Sequence, residues 1–449
     1  MKIYRKPTEE EINGIVERPV IDLDSLQQTV SEVLAEVKTR GDKAVRDYEE
    51  RFDHVRLDTL LVSEEEFQEA EEQVAPELKE AITLAHRNIR TFHAAQQQEH
   101  PRVETCRGVV CWQKDVAIER VGLYIPGGTA PLFSTVLMLA TPACLAGCRE
   151  IVLCSPPDRN GRLHPAILVA ARTAGVSRIY KIGGVQAIAA MAYGTEKVPR
   201  VYKIFGPGNR FVMAAKQAVS QQGVAIDMPA GPSEVCVIAD DKADARFVAA
   251  DLLSQAEHGP DSQVLLITTS ETLLANVQQE VDRQLSVLPR KDFASLSLAN
   301  SRLVLVDTTD DAISLANRYA PEHLIIQTAD YETLAGKVVN AGSVFLGPYA
   351  CESAGDYASG TNHTLPTHGY ATAYSGVNLD AFVRKITFQH LTREGIDSIG
   401  TAVERMAEAE QLQAHKNAMT VRKNSILTGE QQNHGTDDLS IGIIWQKNQ

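Results

Sequence analysis

Residues Arg120–Pro157 read RVGLYIPGGTAPLFSTVLMLATPACLAGCREIVLCSPP. A short apolar run, RVGLY, enters a Pro-Gly-Gly turn. An apolar stretch of helical length follows, and a second short run, EIVLC, ends at two prolines. Strand, helix and strand in this order predict a parallel pair joined by a crossover helix. The alternation continues through HPAILVAARTAG, RIYKIGG, VQAIAAMAYG, RVYKIFGPGN and RFVMAAKQAV. A second alternation runs EVCVIAD, DARFVAADLLSQAEHG, QVLLITTS, a helix to about residue 288, SRLVLVD, DDAISLANRYA, HLIIQT and SVFLG. Two α/β domains, each with a mostly parallel sheet, account for both series.

Upstream of these, residues 8–100 read as helices. TEEEI is a capping start, and SLQQTVSEVLAEVKTRG carries apolar residues at helical spacing up to Gly41. EEEFQEAEEQVAPELKEAITLAHRNIRTFHAAQQ is similar, its acidic first turn suiting the helix dipole. Far downstream, GIDSIGTAVERMAEAEQLQAHKNAMTVRKN reads as one long helix, followed by a polar tail, LTGEQQNHGTDDLS, and a short apolar end, IGIIW.

The bulk numbers exclude several classes of function. A chain of 449 residues supports two or three sizeable cores. Its net charge of −14 leaves no basic surplus for phosphates, so no nucleic-acid partner is expected. No apolar run reaches the roughly 18 residues of a membrane helix. The start, MKIYRKPTEEEI, lacks the apolar core of a signal peptide, so the expected compartment is the cytoplasm. The seven cysteines are odd in number with mostly apolar flanks, which predicts reduced, buried thiols. Cys144 and Cys148 have no second pair to complete a zinc site.

Three glycine-rich turns follow strands: YIPGGTAP, IGGVQAIA and IFGPGNRF. Such turns sit at the carboxyl ends of strands, where glycine lets a backbone approach a phosphate and helix N-termini favour anions. None is a G-x-G-x-x-G fingerprint, and each can exist for its turn alone.

On the helix DARFVAADLLSQAEHG, the stripe Val248, Leu252, Gln255, His258 has spacings of 4, 3 and 3, so Gln255 and His258 continue the buried face. An unpaired buried amide or imidazole costs about 1–3 kcal/mol, so each needs a partner. They are a satisfied pair beneath a loop, or they hold a ligand. In YAPEHLIIQ, Glu322 and His323 are adjacent. Neighbours on a strand face opposite ways, so both serve one site only from the turn before LIIQT. Pro321 biases Ala320 towards extended geometry, which permits that turn. CESAGDYASGTNHTLPTHG gathers Glu352, Asp356, His363 and His368 in one loop, either as turn formers or as chemistry.

Eight ordered motifs, YIPGGTAPLFSTVLM, KIGGVQAIAAMAYGT, KIFGPGNRFV, DMPAGPSE, LLSQAEHGPDSQ, YAPEHL, ESAGDYASGTNHTLPT and AEQLQAH, make the chain resemble the histidinol dehydrogenases over about residues 10–425. The resemblance implies one Zn2+ per site, ligated by Gln255, His258, Asp356 and His415. It implies Glu322 and His323 as the catalytic pair, with Ser233, Glu410, His323 and the metal ligands contacting substrate. It places NAD against Tyr124, Gln186 and Asn209, one on each glycine-rich turn. The implied reaction takes L-histidinol through L-histidinal to L-histidine with two NAD reductions. The implied assembly is a homodimer whose C-terminal arm completes the partner's site. Without the resemblance, Glu410 and His415, five apart on one helix, read as solvated. Residues beyond about 426 have no counterpart in the family pattern.

The fold class that goes with this reading is two Rossmann-like α/β domains with an N-terminal helical segment and a C-terminal helical arm. The expected boundaries are residues 1–20 for the helical segment, 21–115 plus 234–376 for the first α/β domain, 116–233 for the NAD-binding domain, and 377–449 for the arm and tail. A zinc hydrolase would not need the dinucleotide turns. A thiol-dependent aldehyde dehydrogenase would need one exposed reactive cysteine, and a metal-binding module would leave Glu322 and His323 without a purpose.

Overall fold

The computed structural model describes residues 1–18, 24–127, 131–176 and 178–427. Two parallel sheets carry the first compact unit, residues 1–97 with 117–384. One sheet has the spatial order Arg178–Lys181, Glu150–Ser155, Arg120–Tyr124, Lys203–Phe205, Ala225–Ile226. The other has the order Lys2–Arg5, Arg302–Leu305, Gln263–Thr268, Glu234–Ala239, His323–Gln327, Ser343–Leu346. Numbered from its own first α/β strand, each sheet follows 3-2-1-4-5, a doubly wound order that reverses direction beside the first strand. The fold is therefore two Rossmann-like α/β domains with an N-terminal segment and a C-terminal helical arm.

The strands are apolar on both faces because helices cover both faces. Val121, Leu123, Val152 and Ile204 are fully buried in one sheet, as are Val235, Val237, Leu266 and Ile325 in the other. The apolar stretch after the first Pro-Gly-Gly turn is the helix Phe133–Ala146, with Pro142 inside it. The helix predicted after TEEEI is Glu9–Val16, capped by Thr8 with Glu11 closing the box.

Several expectations need correction. Lys2–Arg5 is a strand paired with Arg302–Leu305, so the N-terminal segment is not only helical. Four residues are too few to show a period. The expected grouping of residues 21–115 with 234–376 does not hold for the helices of the first segment. The helices Asp24–Arg40, Glu64–Gln73 and Pro76–Ala94 pack instead on the helices of the five-stranded sheet and share its core. A helix Lys291–Ala299 precedes the strand at Arg302, where none was expected.

Among the described residues, the second compact unit comprises Gln98–Val116 and residues 385–427. It contains most of a three-stranded sheet of order Val383–Leu391, Val109–Ala117, Val103–Cys106, none of which was predicted. Trp112 stacks on Phe388 at 5.4 Å. The long helix expected over 395–424 is two helices, Arg393–Ala409 and Gln413–Leu427, packed on each other. The break falls at Gln411, with φ +61°, a left-handed turn that ends the first helix. The expected polar tail lies outside the described residues. No helix among the described residues is long and apolar enough to cross a membrane, and all seven cysteines are free, with Cys154 and Cys236 buried and the rest partly exposed.

Candidate active and metal site

The helix Thr309–Tyr319 runs into Pro321, then Glu322, then the strand that begins at His323. Ala320 was expected to be extended. It is left-handed, φ +49° and ψ +63°, with its N–H on Ala316 O at 2.8 Å. Proline already disfavours the helical conformation for Ala320, and the left-handed one both caps the helix and turns the chain into the sheet. This turn lets Glu322 and His323 serve one place: Glu322 Oε2 lies 3.6 Å from His323 Nδ1.

Glu322 is held from the neighbouring strand, accepting the Glu234 N–H at 2.9 Å and Gln255 Nε2 at 3.2 Å on the same oxygen, Oε2. Glu234 is itself fixed by Arg18, at 2.7 Å. Burial pushes the Glu322 pKa up to about 8, against the pull of His323. For His323, burial works to lower the pKa, but the carboxylates of Glu322, Glu352 and Asp356 outweigh it and lift it to about 10. Its Nδ1 faces the Glu234 carbonyl at 3.3 Å, and its Nε2 is buried without a hydrogen-bond partner, 3.4 Å from Asp356 Oδ1 but not aligned with it.

Gln255 is 1% exposed on the helix Ala245–Ala256, continuing the stripe of Val248 and Leu252 as expected. With Nε2 committed to Glu322, its Oε1 is buried and unpartnered. His258 departs from the expectation. The helix ends at Ala256, so His258 lies beyond the cap with an exposed edge, although its surroundings are close enough that burial still lowers its pKa. Asp356 sits on a short helix, Glu352–Tyr357, where a loop was expected. The i, i+4 spacing puts Glu352 and Asp356 on one face. Ligand atoms of His258, Glu352 and Asp356 lie within 4.8 Å of one another, and Asp356 Oδ1 and Glu352 Oε2 are buried without partners.

This donor set fits a cation. Oxygens and an imidazole converge, several are unsatisfied, and the negative end of the helix Ala245–Ala256 points the same way. The cluster lies at the amino ends of the strands beginning at Glu234 and His323, whereas ligands in open α/β sheets usually bind at the carboxyl ends. Ser233, half-buried, immediately precedes Glu234 there. His363 is not free to join, since Nδ1 meets the Asp356 carbonyl at 2.9 Å and Nε2 meets Thr135 Oγ1 at 3.0 Å. His368 braces Glu234 through its backbone N–H. Glu410 and His415 belong to the second unit. They do not share a helix as expected: Glu410 caps Arg393–Ala409 and His415 lies in the next helix, both exposed.

The described residues of the glycine-rich turns converge elsewhere, at the carboxyl ends of the five-stranded sheet. A cavity of about 1380 Å³ is lined by Tyr124, Gly184, Gln186 and Asn209, among others. That exceeds the roughly 300–1,000 Å³ of ordinary small-molecule sites and suits an extended ligand. Tyr124 Oη accepts the Gly184 N–H at 3.1 Å. Asn209 Oδ1 caps the helix Arg210–Ser220 through Phe211 N and Val212 N at 3.0 and 3.1 Å. Gln186 is almost fully buried, with Oε1 unpartnered. Three loops, two helix N-termini and one unsatisfied acceptor fit a dinucleotide.

Residues 16–423 match the family model described as histidinol dehydrogenase. The chain is 63% identical to the histidinol dehydrogenase of Bacteroides thetaiotaomicron over 95% of this chain and all of that one. It is 51% identical to that of Escherichia coli over 93% of this chain and 96% of that one. It also resembles the crystal structure of histidinol dehydrogenase from Elizabethkingia anophelis, with a TM-score of 0.94 and 53% identity over 95% of this chain and 99% of that one.

Proposed function

The chain belongs to the histidinol dehydrogenase family, oxidoreductases of histidine biosynthesis, and from that premise we propose that it oxidises L-histidinol through L-histidinal to L-histidine, reducing two NAD+ in succession. The observation that carries this reading is the cluster of Gln255, Glu322, His323 and Asp356, in which Gln255 Oε1, His323 Nε2 and Asp356 Oδ1 are buried without partners.

In the first oxidation His323 Nε2 takes the hydroxyl proton while hydride leaves the carbon that bears that hydroxyl for NAD+. Glu322 Oε1, which accepts neither of the bonds that hold the side chain, then takes a proton from the water that adds to the aldehyde, while His323 returns its proton to the aldehyde oxygen and is free to act again. His323 deprotonates the resulting hydrate as the second hydride leaves, and the carboxylate product is histidine. Burial holds the Glu322 pKa near 8 and the surrounding carboxylates hold that of His323 near 10, so the use of either as a base at neutral pH requires positive charge beside them. Zinc held by Gln255, His258, Asp356 and the His415 of a second copy would anchor the substrate's nitrogens and supply that positive charge. Ser233 and Glu410 are further substrate contacts in this reading.

Residues 116–233 are the NAD-binding domain in the same reading, with Tyr124, Gln186 and Asn209 as contacts. The assembly is a homodimer. In its support, the unit carrying Glu410 and His415 exposes Phe388, Met406, Leu412 and Val421 in the single chain. NADH absorbance with histidinol and NAD+ tests the reaction. Two NADH per histidinol are expected; one per substrate, or none, overturns the reading.

A further inference from the structure

Glu49 is 0% exposed, in a single π-helical turn, Glu49–Asp53, that ends the helix Asp42–Tyr48. Such turns are rare. Glu49 and Asp53, four residues apart, meet the IGGVQ loop together. Glu49 Oε1 accepts the Gly183 N–H at 2.9 Å and Gln186 Nε2 at 2.8 Å, and Asp53 Oδ2 accepts the same Nε2 at 3.3 Å. The loop fits this pair closely: a Cβ on Gly183 would stand 3.3 Å from Asp53 Oδ2 and 2.6 Å from Pro156 Cβ.

An amide nitrogen has two N–H groups, and both are spent here. The two carboxyl groups therefore fix which end of the amide is which. Oε1 is left as the one free atom of a residue that lines the dinucleotide cavity, buried and unpartnered. We propose that Glu49 and Asp53 are positioning residues for cofactor binding, holding Gln186 so that it meets the dinucleotide only as a hydrogen-bond acceptor, for a hydroxyl or carboxamide N–H and not for a phosphate oxygen. Burial, followed by the nearby Asp53, pushes the Glu49 pKa up to about 8. The neutral acid keeps its carbonyl oxygen as the acceptor and spares an anionic cofactor a buried like charge. The inference rests on the cofactor pocket proposed above.

The test is a double-mutant cycle on NAD+ binding, measured by calorimetry on the purified, metal-loaded protein without substrate. Glu49→Ala should weaken NAD+ about tenfold and leave the KM for histidinol within about twofold. Glu49→Gln, which keeps a carbonyl oxygen in place, should bind within about threefold of wild type. In a Gln186→Ala background, Glu49→Ala should add less than about twofold. Wild-type NAD+ affinity in Glu49→Ala, or an undiminished loss in the Gln186→Ala background, overturns the positioning role. Should Glu49→Ala fail to fold, Asp53→Ala, at a half-buried position, carries the same cycle with the same outcomes. Unchanged NAD+ affinity in Gln186→Ala alone would instead overturn the pocket assignment.

Discussion

Gln255 donates its Nε2 to Glu322 Oε2 at 3.2 Å and leaves its own Oε1 buried with no partner. One hydrogen bond thus sets the polarity of the amide: the nitrogen end serves the carboxyl group, and the oxygen end faces unmet demand. A neutral oxygen ligand adds no further negative charge to a place where Glu322, Glu352 and Asp356 already crowd one imidazole. A cation beside His258, Glu352 and Asp356 would meet the unpartnered oxygens of the two carboxyl groups.

His258→Ala should therefore lose metal and keep its fold. The side chain lies beyond the helix cap with an exposed edge, so truncation leaves no large cavity. Zinc affinity should fall at least about 100-fold, read by chelator competition. A variant that retains one zinc per chain at wild-type affinity would remove His258 from the ligand set.

Glu322 and His323 should separate by step. Glu322→Gln keeps the acceptor for the Glu234 N–H but cannot take a proton from water, so it should slow aldehyde oxidation far more than alcohol oxidation. His323→Asn should slow both, by about 10²–10⁴-fold. Supplying L-histidinal directly isolates the second step. Normal turnover of that substrate by Glu322→Gln refutes the assigned role.

The parts of the fold that were legible are those whose burial imposes a period. Both α/β series and the Thr8 capping box follow from the pattern. The strand Val383–Leu391 escaped because almost all of it is exposed in the single chain, so no alternation marks it. The break at Gln411 carries no glycine to announce it. In the site, Gln255 was legible as a polar residue on an apolar stripe. Glu352 was seen only as part of an acidic loop, although its i, i+4 spacing to Asp356 was available as a signal. Glu49 and Asp53 were invisible, because their partner Gln186 is more than a hundred residues away and a π turn leaves no sequence mark.

Stability should depend on pH through Glu49. Its folded pKa, about 8, is raised above the ordinary 4.5, so the folded protein holds a proton that the unfolded chain has released. Its contribution is fully present below about 4.5 and is lost as pH rises through about 8. Glu49→Gln has no such proton. Urea denaturation at about pH 5 and about pH 8.5 should show the wild type losing more stability than the variant between those values. An equal loss in both proteins refutes the assignment of this proton to Glu49.

The proposed assembly can be tested by mixing. His415 lies in the second compact unit, and Gln255, His258 and Asp356 in the first. If each site takes His415 from the other copy, a dimer of one His258→Ala chain and one His415→Ala chain has one site with both defects and one with neither. Random pairing makes about half of all dimers mixed, so co-refolding the two inactive variants should return about a quarter of wild-type activity. If every site is built from a single chain, each site in the mixture carries one defect and no activity returns. Mixtures that stay inactive while wild type refolds normally would exclude the shared site and leave the ligands of the first unit standing.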